Sequence, residues 1–357
     1  MNGGLLAGFV AALVAFALTP LFRHIGRRLG WTDTPNERSS HRAPTPRNGG
    51  KAIMMGIAAG LVTAEAYRDL TILTVVIVTG VLSLLGAIDD AKDLRWSLKL
   101  AVQLVATVTI LSIPAFRMHF ALALVAAFWI IGVTNGFNFM DGVNGIASAE
   151  ATVCGLTMGA LLLAAGDRSG AAVSFAVAGA AFGFFIWNGA TGSIFMGDVG
   201  SLPLGFLLSV LVLRGATVGI APWVMALPLL PFLLDTGITL LRRTVRREVI
   251  FRAHRTHYYQ RLTDLGWSHL SVTMLWVALA AAAAAVSLRW NVLHGFRFVL
   301  YGIVIAVNLA VITVIELRHR ALGAIATDSS SNAVVRVESR STAASSAEDR
   351  TGRRSKD

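Results

Sequence analysis

Residues 70–94 read LTILTVVIVTGVLSLLGAIDDAKDL. The run 71–88 carries no charge, and Asp89, Asp90 and Asp93 follow it at once. An uncharged run of this length reads as a membrane-spanning helix. Carboxylates at its end stand at a membrane boundary, where a polar residue is tolerated far better than at the bilayer centre. The same pattern returns along the chain: Asn135, Asn138 and Asp141 close another apolar run, and Asp198 opens one. These clusters mark a candidate site at one membrane face.

The composition supports the reading. The chain has 357 residues, 55% hydrophobic and 14% charged, with a mean hydropathy of +0.66. Soluble domains rarely run so apolar. Eleven candidate spans follow, at 4–22, 52–66, 71–88, 97–113, 119–134, 147–165, 171–189, 201–214, 219–241, 269–287 and 296–316. The 201–214 segment is the weakest and reads as a tilted or re-entrant piece. The opening MNGGLLAGFV lacks a basic region and a cleavage site, so it is read as the first span. The expected fold is an all-α, polytopic integral membrane helical bundle of about 11 transmembrane helices over residues 1–320. The serine-rich, aromatic-free stretch 327–357 is expected to be a disordered cytoplasmic tail. The single Cys154 excludes an intrachain disulfide and a cysteine-based zinc cluster.

Charge orients the bundle. Alternate segments hold seven Lys and Arg in 23–51, three in 89–99, seven in 242–269 and eight in 317–357. The opposite side holds only Arg68, Arg117, Arg168, Arg214, Arg289 and Arg297. The positive-inside rule then places the N-terminus outside and the C-terminus in the cytoplasm. The net charge of +11 is therefore assigned to anionic membrane lipids and not to nucleic acid.

Four segments on the cytoplasmic side carry chemistry. In GAIDDAKDLRWSLKLAVQ, the adjacent Asp89 and Asp90 repel unless a cation or proton is shared, against the plainer reading of a solvated helix end. Lys99 and Gln103 share a helical face; Lys99 meets a phosphate or simply snorkels. In NGFNFMDGVNGIA, Asn135, Asn138 and Asp141 lie three apart and fall on one side of a helical turn, with Gly142 and Gly145 behind. In FMGDVGSLPLGF, Asp198 between Gly197 and Gly200 suits a hard cation bridging phosphate oxygens, with an N-cap role for Asp198 or Ser201 as the alternative. In the arginine-rich loop 242–269, His254, Arg255 and His257 beside Tyr258 and Tyr259 suit a diphosphate and a stacked base. Arg47 and Lys51, in a Pro- and Gly-rich loop, are further phosphate candidates. Asp235, inside a span, is as readily structural as catalytic.

These motifs in this order resemble the polyprenyl-phosphate N-acetylhexosamine-1-phosphate transferases, the superfamily of the phospho-N-acetylmuramoyl-pentapeptide transferases. The residues concerned are Asp89–Asp93, Asn135–Gly145, Gly197–Ser201, the His254–His257 loop, and the Pro44–Gly50 loop with Asn48 where a glycine is common. HRTHYYQRL is similar to the O-antigen-initiating subgroup. The resemblance implies transfer of a sugar-1-phosphate from a UDP-N-acetyl sugar to undecaprenyl or another polyprenyl phosphate, with UMP released. It implies Mg²⁺ or Mn²⁺ held by Asp198 and Asn138, and catalysis by Asp89 assisted by Asp90. Lys51, Lys99, Asn135, Asp141, His254, Arg255 and His257 would bind substrate. The implied setting is the bacterial inner membrane, with a multi-pass chain, an active site on the cytoplasmic face, and a homodimer allowed. Within the family, UDP-GlcNAc and muramoyl-pentapeptide transferases are the neighbouring readings. From another class, a transporter or lipid flippase competes, and its ionisable residues would sit near mid-membrane.

Overall fold

The computed structural model describes residues 3–33, 44–249 and 255–322. His254 and the stretch 327–357 lie outside them. The described chain is an all-α polytopic membrane bundle. Among the described residues, nine helices are long and apolar enough to cross a membrane, and two more are apolar but shorter.

In chain order the helices are α1 (Gly3–Arg28), α2 (Gly50–Thr63), α3 (Leu70–Lys92), α4 (Trp96–Leu111), α5 (Phe120–Phe139), α6 (Ile146–Ala164), α7 (Arg168–Thr191), α8 (Asp198–Thr217), α9 (Pro222–Ala226), α10 (Leu230–Val245), α11 (Tyr258–Asp264) and α12 (His269–Leu288). The last, α13, lies in His294–Leu322. Each of the eleven apolar runs falls on a helix or, for 219–241, on the pair α9–α10. That pair is one span broken by a 3-10 turn at Leu227–Leu229, where Pro228 and Pro231 supply no N–H to a continuous helical ladder. A two-residue antiparallel pairing, β1 (Thr32–Asp33) with β2 (Thr45–Pro46), closes the first loop.

The segment expected to be weakest proves to be the centre. Helix α8 is a full 20-residue helix, the most buried of the spans, and packs on α3, α5 and α6. Its uncharged run reads as short because Asp198 and Arg214 both lie within the helix, in its first and last turns. Ser201, Gly205 and Ser209 sit among its buried residues and let neighbours approach closely. The outer helices α1 and α13 expose most of their surface.

Helix α1 packs against α7 and α2 through small residues, as expected where lipid offers no hydrophobic driving force between helices. A Cβ on Gly179 of α7 would stand 1.9 Å from the Gly8 carbonyl oxygen.

At the end of the bundle opposite the acids, Arg214 in the last turn of α8 joins three elements. Its Nε lies 2.6 Å from Asp167 Oδ2 and its second guanidinium nitrogen 3.0 Å from Asp69 Oδ2. Asp69 also caps α3 by accepting from Thr71 N at 2.9 Å, and Asp167 caps α7 by accepting from Gly170 N at 3.0 Å. Burial would raise the Asp167 carboxyl, but bonds from Arg214 and Gly170 hold it below the usual carboxylate range.

Two outcomes test this packing. Gly179→Ala lowers the thermal midpoint of the purified protein by the equivalent of about 1–3 kcal/mol of overpacking, whereas Gly80→Ala, which meets nothing within 4 Å, leaves it unchanged. Arg214→Ala costs about 3–5 kcal/mol by stranding a buried carboxylate. Because the Asp167 pKa is lowered on folding, the wild type keeps this contribution above the ordinary Asp pKa and loses it as pH falls through the lowered value. The acid limb of a stability–pH profile checks that sign.

Candidate active site

At the other end, the C-termini of α3 and α5 meet the N-termini of α4 and α8. Helix α3 stops because Asp93 adopts a left-handed conformation with φ 50°, its N–H bonded to the Asp89 carbonyl. The chain then turns straight into α4. This turn delivers Leu94 N to Asp89 Oδ1 at 2.7 Å and Lys99 Nζ to Asp89 Oδ2 at 2.7 Å.

Lys99 is shared. Its Nζ also lies 3.8 Å from Asp198 Oδ2. The other Asp198 oxygen accepts from Asn138 Nδ2 at 2.8 Å, and the same amide reaches Ser201 Oγ at 2.8 Å. Four helices thus contribute Asp89, Lys99, Asn138 and Asp198 to one connected cluster. Asp141, in the loop after α5, faces it. Burial, then the negative charges of Asp198 and Asp90, push its carboxyl well above the usual range.

Asp90 is placed differently from its neighbour. Its two oxygens accept from the backbone N–H groups of Asp198 and Val199, each at 3.2 Å. These are donors of the first turn of α8, which have no partner inside the helix. The residue before them, Gly197, has φ 72° and ψ 172°, and a Cβ there would lie 2.4 Å from the Arg47 carbonyl oxygen. So Asp198 does not cap α8 with its own side chain. Asp90 satisfies the helix end, and the Asp198 carboxylate is left for Asn138 and Lys99.

Beside Asp90 lies a cavity of about 110 Å³ lined by Trp31, Arg47, Asn48, Lys51 and Val199 among others. Lys51 Nζ sits 4.1 Å from the centre of the Trp31 ring, and the Arg47 guanidinium donates to the Asp90 carbonyl.

With this geometry in place, comparison with known proteins is decisive. Residues 72–216 match the glycosyl transferase family 4 profile. A decaprenyl-phosphate N-acetylglucosaminephosphotransferase of Mycobacterium tuberculosis (strain ATCC 25618 / H37Rv) is 30% identical over 88% of this chain and 89% of its own. The chain belongs to glycosyl transferase family 4. A probable undecaprenyl-phosphate N-acetylglucosaminyl 1-phosphate transferase of Bacillus subtilis (strain 168) is 26% identical over 85% of this chain and 90% of its own. An undecaprenyl-phosphate alpha-N-acetylglucosaminyl 1-phosphate transferase of Salmonella typhi is 27% identical over 79% and 83%.

The matched span of this family 4 chain contains Asp89, Asp90, Lys99, Asn135, Asn138, Asp141 and Asp198, and stops short of the arginine-rich loop. The structure brings together all of these except Asn135, which turns inward. The Asn135 and Gln103 amides bond reciprocally, at 2.6 and 3.2 Å, one turn deeper than Lys99. His257 also faces the interior. It is 2% exposed, and its Nδ1 lies 3.1 Å from the fully buried Asp235. Asp235 accepts from Tyr258 N and Tyr259 N as well, both at 2.9 Å, so it fixes the start of α11. Arg255 pairs with Asp264 at 3.2 Å. The loop's tie to the acid cluster runs through Tyr259, whose hydroxyl donates to the Phe139 carbonyl at 2.9 Å.

Three structural roles were not assigned from sequence: Asp90, given a part in catalysis, also anchors α8; Tyr259, set beside a stacked base, braces the loop; and Gln103, placed only on the face of Lys99, pairs with Asn135. The signal for the first was present: an acid pair at one helix end and a glycine-flanked helix start elsewhere. The Asp90 placement yields an outcome. Asp90→Ala removes both acceptors at α8 and lowers stability by about 0.5–2 kcal/mol, the usual scale of a lost helix cap. Asp90→Asn keeps one acceptor and loses less. Thermal unfolding of both variants decides it.

Proposed function

We propose that the chain transfers N-acetylhexosamine-1-phosphate from a UDP-sugar to undecaprenyl or another polyprenyl phosphate and releases UMP, starting a cell-envelope polysaccharide such as O-antigen. N-acetylglucosamine is the first sugar to test, since the three relatives carry it in their names. The observation that carries the reading is the four-helix cluster of Asp89, Lys99, Asn138 and Asp198 at a membrane boundary. Such a site lets a soluble nucleotide meet a lipid phosphate at headgroup depth. The clustering at one helix end also favours transfer over transport, which calls for ionisable groups along a path through the membrane.

Phosphoryl transfer is mostly positioning and charge neutralisation. An oxygen of the lipid phosphate attacks the β-phosphorus of the UDP-sugar. A new P–O bond forms, the bond to the bridging oxygen breaks, and UMP leaves with the electron pair. In this reading Lys99 offsets the charge of the incoming lipid phosphate. Asp89 fixes the Lys99 ammonium by a 2.7 Å ion pair and takes any proton the lipid phosphate carries. Arg47 and Lys51 hold negative charge on the far side of Asp90, in the small cavity there. Asp141 lies toward the nucleotide.

Mg²⁺, or Mn²⁺ in its place, fits the donors present. Among the described residues no three His, Cys, Asp or Glu side chains form a metal-ligand group. The donors near Asp198 are oxygens, and a hard cation of this kind takes one or two carboxylates and completes its shell with water and substrate phosphates. Asp198 would hold it, with Asn138 as a second oxygen donor. When bound, the ion would supply Lewis-acid neutralisation of the diphosphate. The basic loops at this end support a cytoplasmic site in a bacterial inner membrane.

The test is UMP release by purified protein given undecaprenyl phosphate, MgCl₂ and a panel of UDP-N-acetyl sugars. Release is expected only with lipid and metal together, and it stops on adding EDTA and returns with Mg²⁺. Asp89→Asn and Asp198→Asn each reduce the rate by about 10²-fold or more. Well-folded protein that releases no UMP with any sugar would overturn the proposal, and near-normal turnover by both variants would overturn the site.

A further inference from the structure

A large cavity lies apart from the acid cluster. It lies at the opposite end of the bundle, has a volume of about 760 Å³, and is bounded by α5, the last turns of α8, the broken helix α9–α10, and Tyr301 of α13. Its size falls in the range of about 300–1,000 Å³ typical of sites for small ligands. Trp129, Leu213 and Trp223 make its walls largely apolar, and it is open to the side where Val125 and Trp223 are exposed. In a bilayer this opening faces acyl chains.

One cation stands on its lining. Arg117 is exposed, in the short loop between α4 and α5, and it forms no ion pair with any described residue. The acids at this end are Glu65, Asp69 and Asp167, and each already has a partner: Glu65 binds Arg68, and the other two bind Arg214. Protein charge at this end therefore leaves Arg117 uncompensated, at headgroup depth, on an apolar slot. That is the complement of a molecule with an anionic head and an apolar chain.

We propose that the slot seats one acyl chain of an anionic glycerophospholipid from the leaflet facing this end, with its phosphate on Arg117. The lipid would fill a gap that side chains leave beside the last turns of α8. It would also supply the negative charge that Arg117 lacks. A zwitterionic lipid offers the same chain, but its own ammonium cation offsets the phosphate charge. Preference for the anionic lipid is therefore the distinguishing mark.

The full-length protein, purified in detergent and stripped of lipid, tests this. Its thermal midpoint is followed while phosphatidylglycerol, phosphatidylcholine or undecaprenyl phosphate is added. Phosphatidylglycerol should act at about fivefold lower concentration than phosphatidylcholine, the scale of one basic residue at an anionic bilayer surface. Arg117→Gln, in an exposed loop, should abolish that preference. Ala216→Trp fills the cavity from an exposed position and should blunt the response to both lipids. Native mass spectrometry of protein that has not been stripped gives a second readout, with retained phosphatidylglycerol lost in Arg117→Gln. Equal response of the wild type to both phospholipids overturns the proposal, as does an unchanged preference in Arg117→Gln. A shift by undecaprenyl phosphate alone, lost in Ala216→Trp, assigns the cavity to the acceptor's tail and also overturns it. None of these readouts depends on turnover, so failure here is separable from failure of the transferase reading.

Discussion

Asp90 accepts hydrogen bonds from the backbone N–H groups of Asp198 and Val199, and the remaining geometry hangs on that junction. A bilayer core offers no water to helix ends, so the unpaired donors and acceptors of a terminus must find partners in the protein. Helix α8 finds them at both ends. Its first turn is held by Asp90 at the C-terminal end of α3, and Arg214 in its last turn binds Asp69, the cap of α3, together with Asp167, the cap of α7. Each charge also suits the helix dipole beside it, negative at an N-terminus and positive at a C-terminus. An axial slip of α8 against α3 breaks both junctions at once. The Asp198 carboxylate is therefore held in a fixed register against Asp89, although the two residues are more than a hundred positions apart.

The same logic registers α4 against α5. Lys99 and Gln103 share one face of α4, and Asn135 and Asn138 share one face of α5. The reciprocal amide pair of Gln103 and Asn135 is the deeper contact, and Lys99 and Asn138 are the shallower residues that meet Asp198. Amides paired across a membrane interface contribute about 1 kcal/mol or less. Their larger effect is directional, because each side chain satisfies the other and neither competes for Asp198. Two helix pairs, each keyed by a polar contact away from the cluster, thus bring a cation and an amide onto one carboxylate.

Much of this was legible in the residues. Apolar runs marked every helix that spans the bundle, because hydropathy reports directly on burial in lipid. Asp89, Asn138 and Asp198 stood out because an acid or amide at a run's end is unusual. Helix α8 was underrated for a physical reason: Asp198 and Arg214 sit inside its first and last turns, so the uncharged run is shorter than the helix, and only the fold shows that both charges are paired by neighbouring elements. The resemblance ranked Asp89 over Asp90, but the residues alone did not show which meets α8, since adjacent residues on a helix point about 100° apart and only the position of α8 decides it. The loop chemistry was hidden by distance. The contact of His257 with Asp235 could not be read from sequence because that partner sits 22 residues earlier, inside another helix.

That last pairing has a consequence for how the arginine-rich loop acts. A carboxylate buried in α10 accepts two backbone N–H groups of α11 and contacts the His257 ring, so it draws the loop inward and starts a helix there. Tyr259 then reaches the Phe139 carbonyl, one residue from Asn138. Gly142 gives that hydroxyl room, since a Cβ there would lie 2.2 Å from it. The described part of the loop is thus braced from below, and its position follows the end of α5. Any influence of residues 255–261 on the acid cluster passes through this brace as well as through their own charges, which Glu316 and Asp264 already engage at Arg261 and Arg255. Helix packing, and not the loop's own composition, sets where its cations stand relative to Asp198.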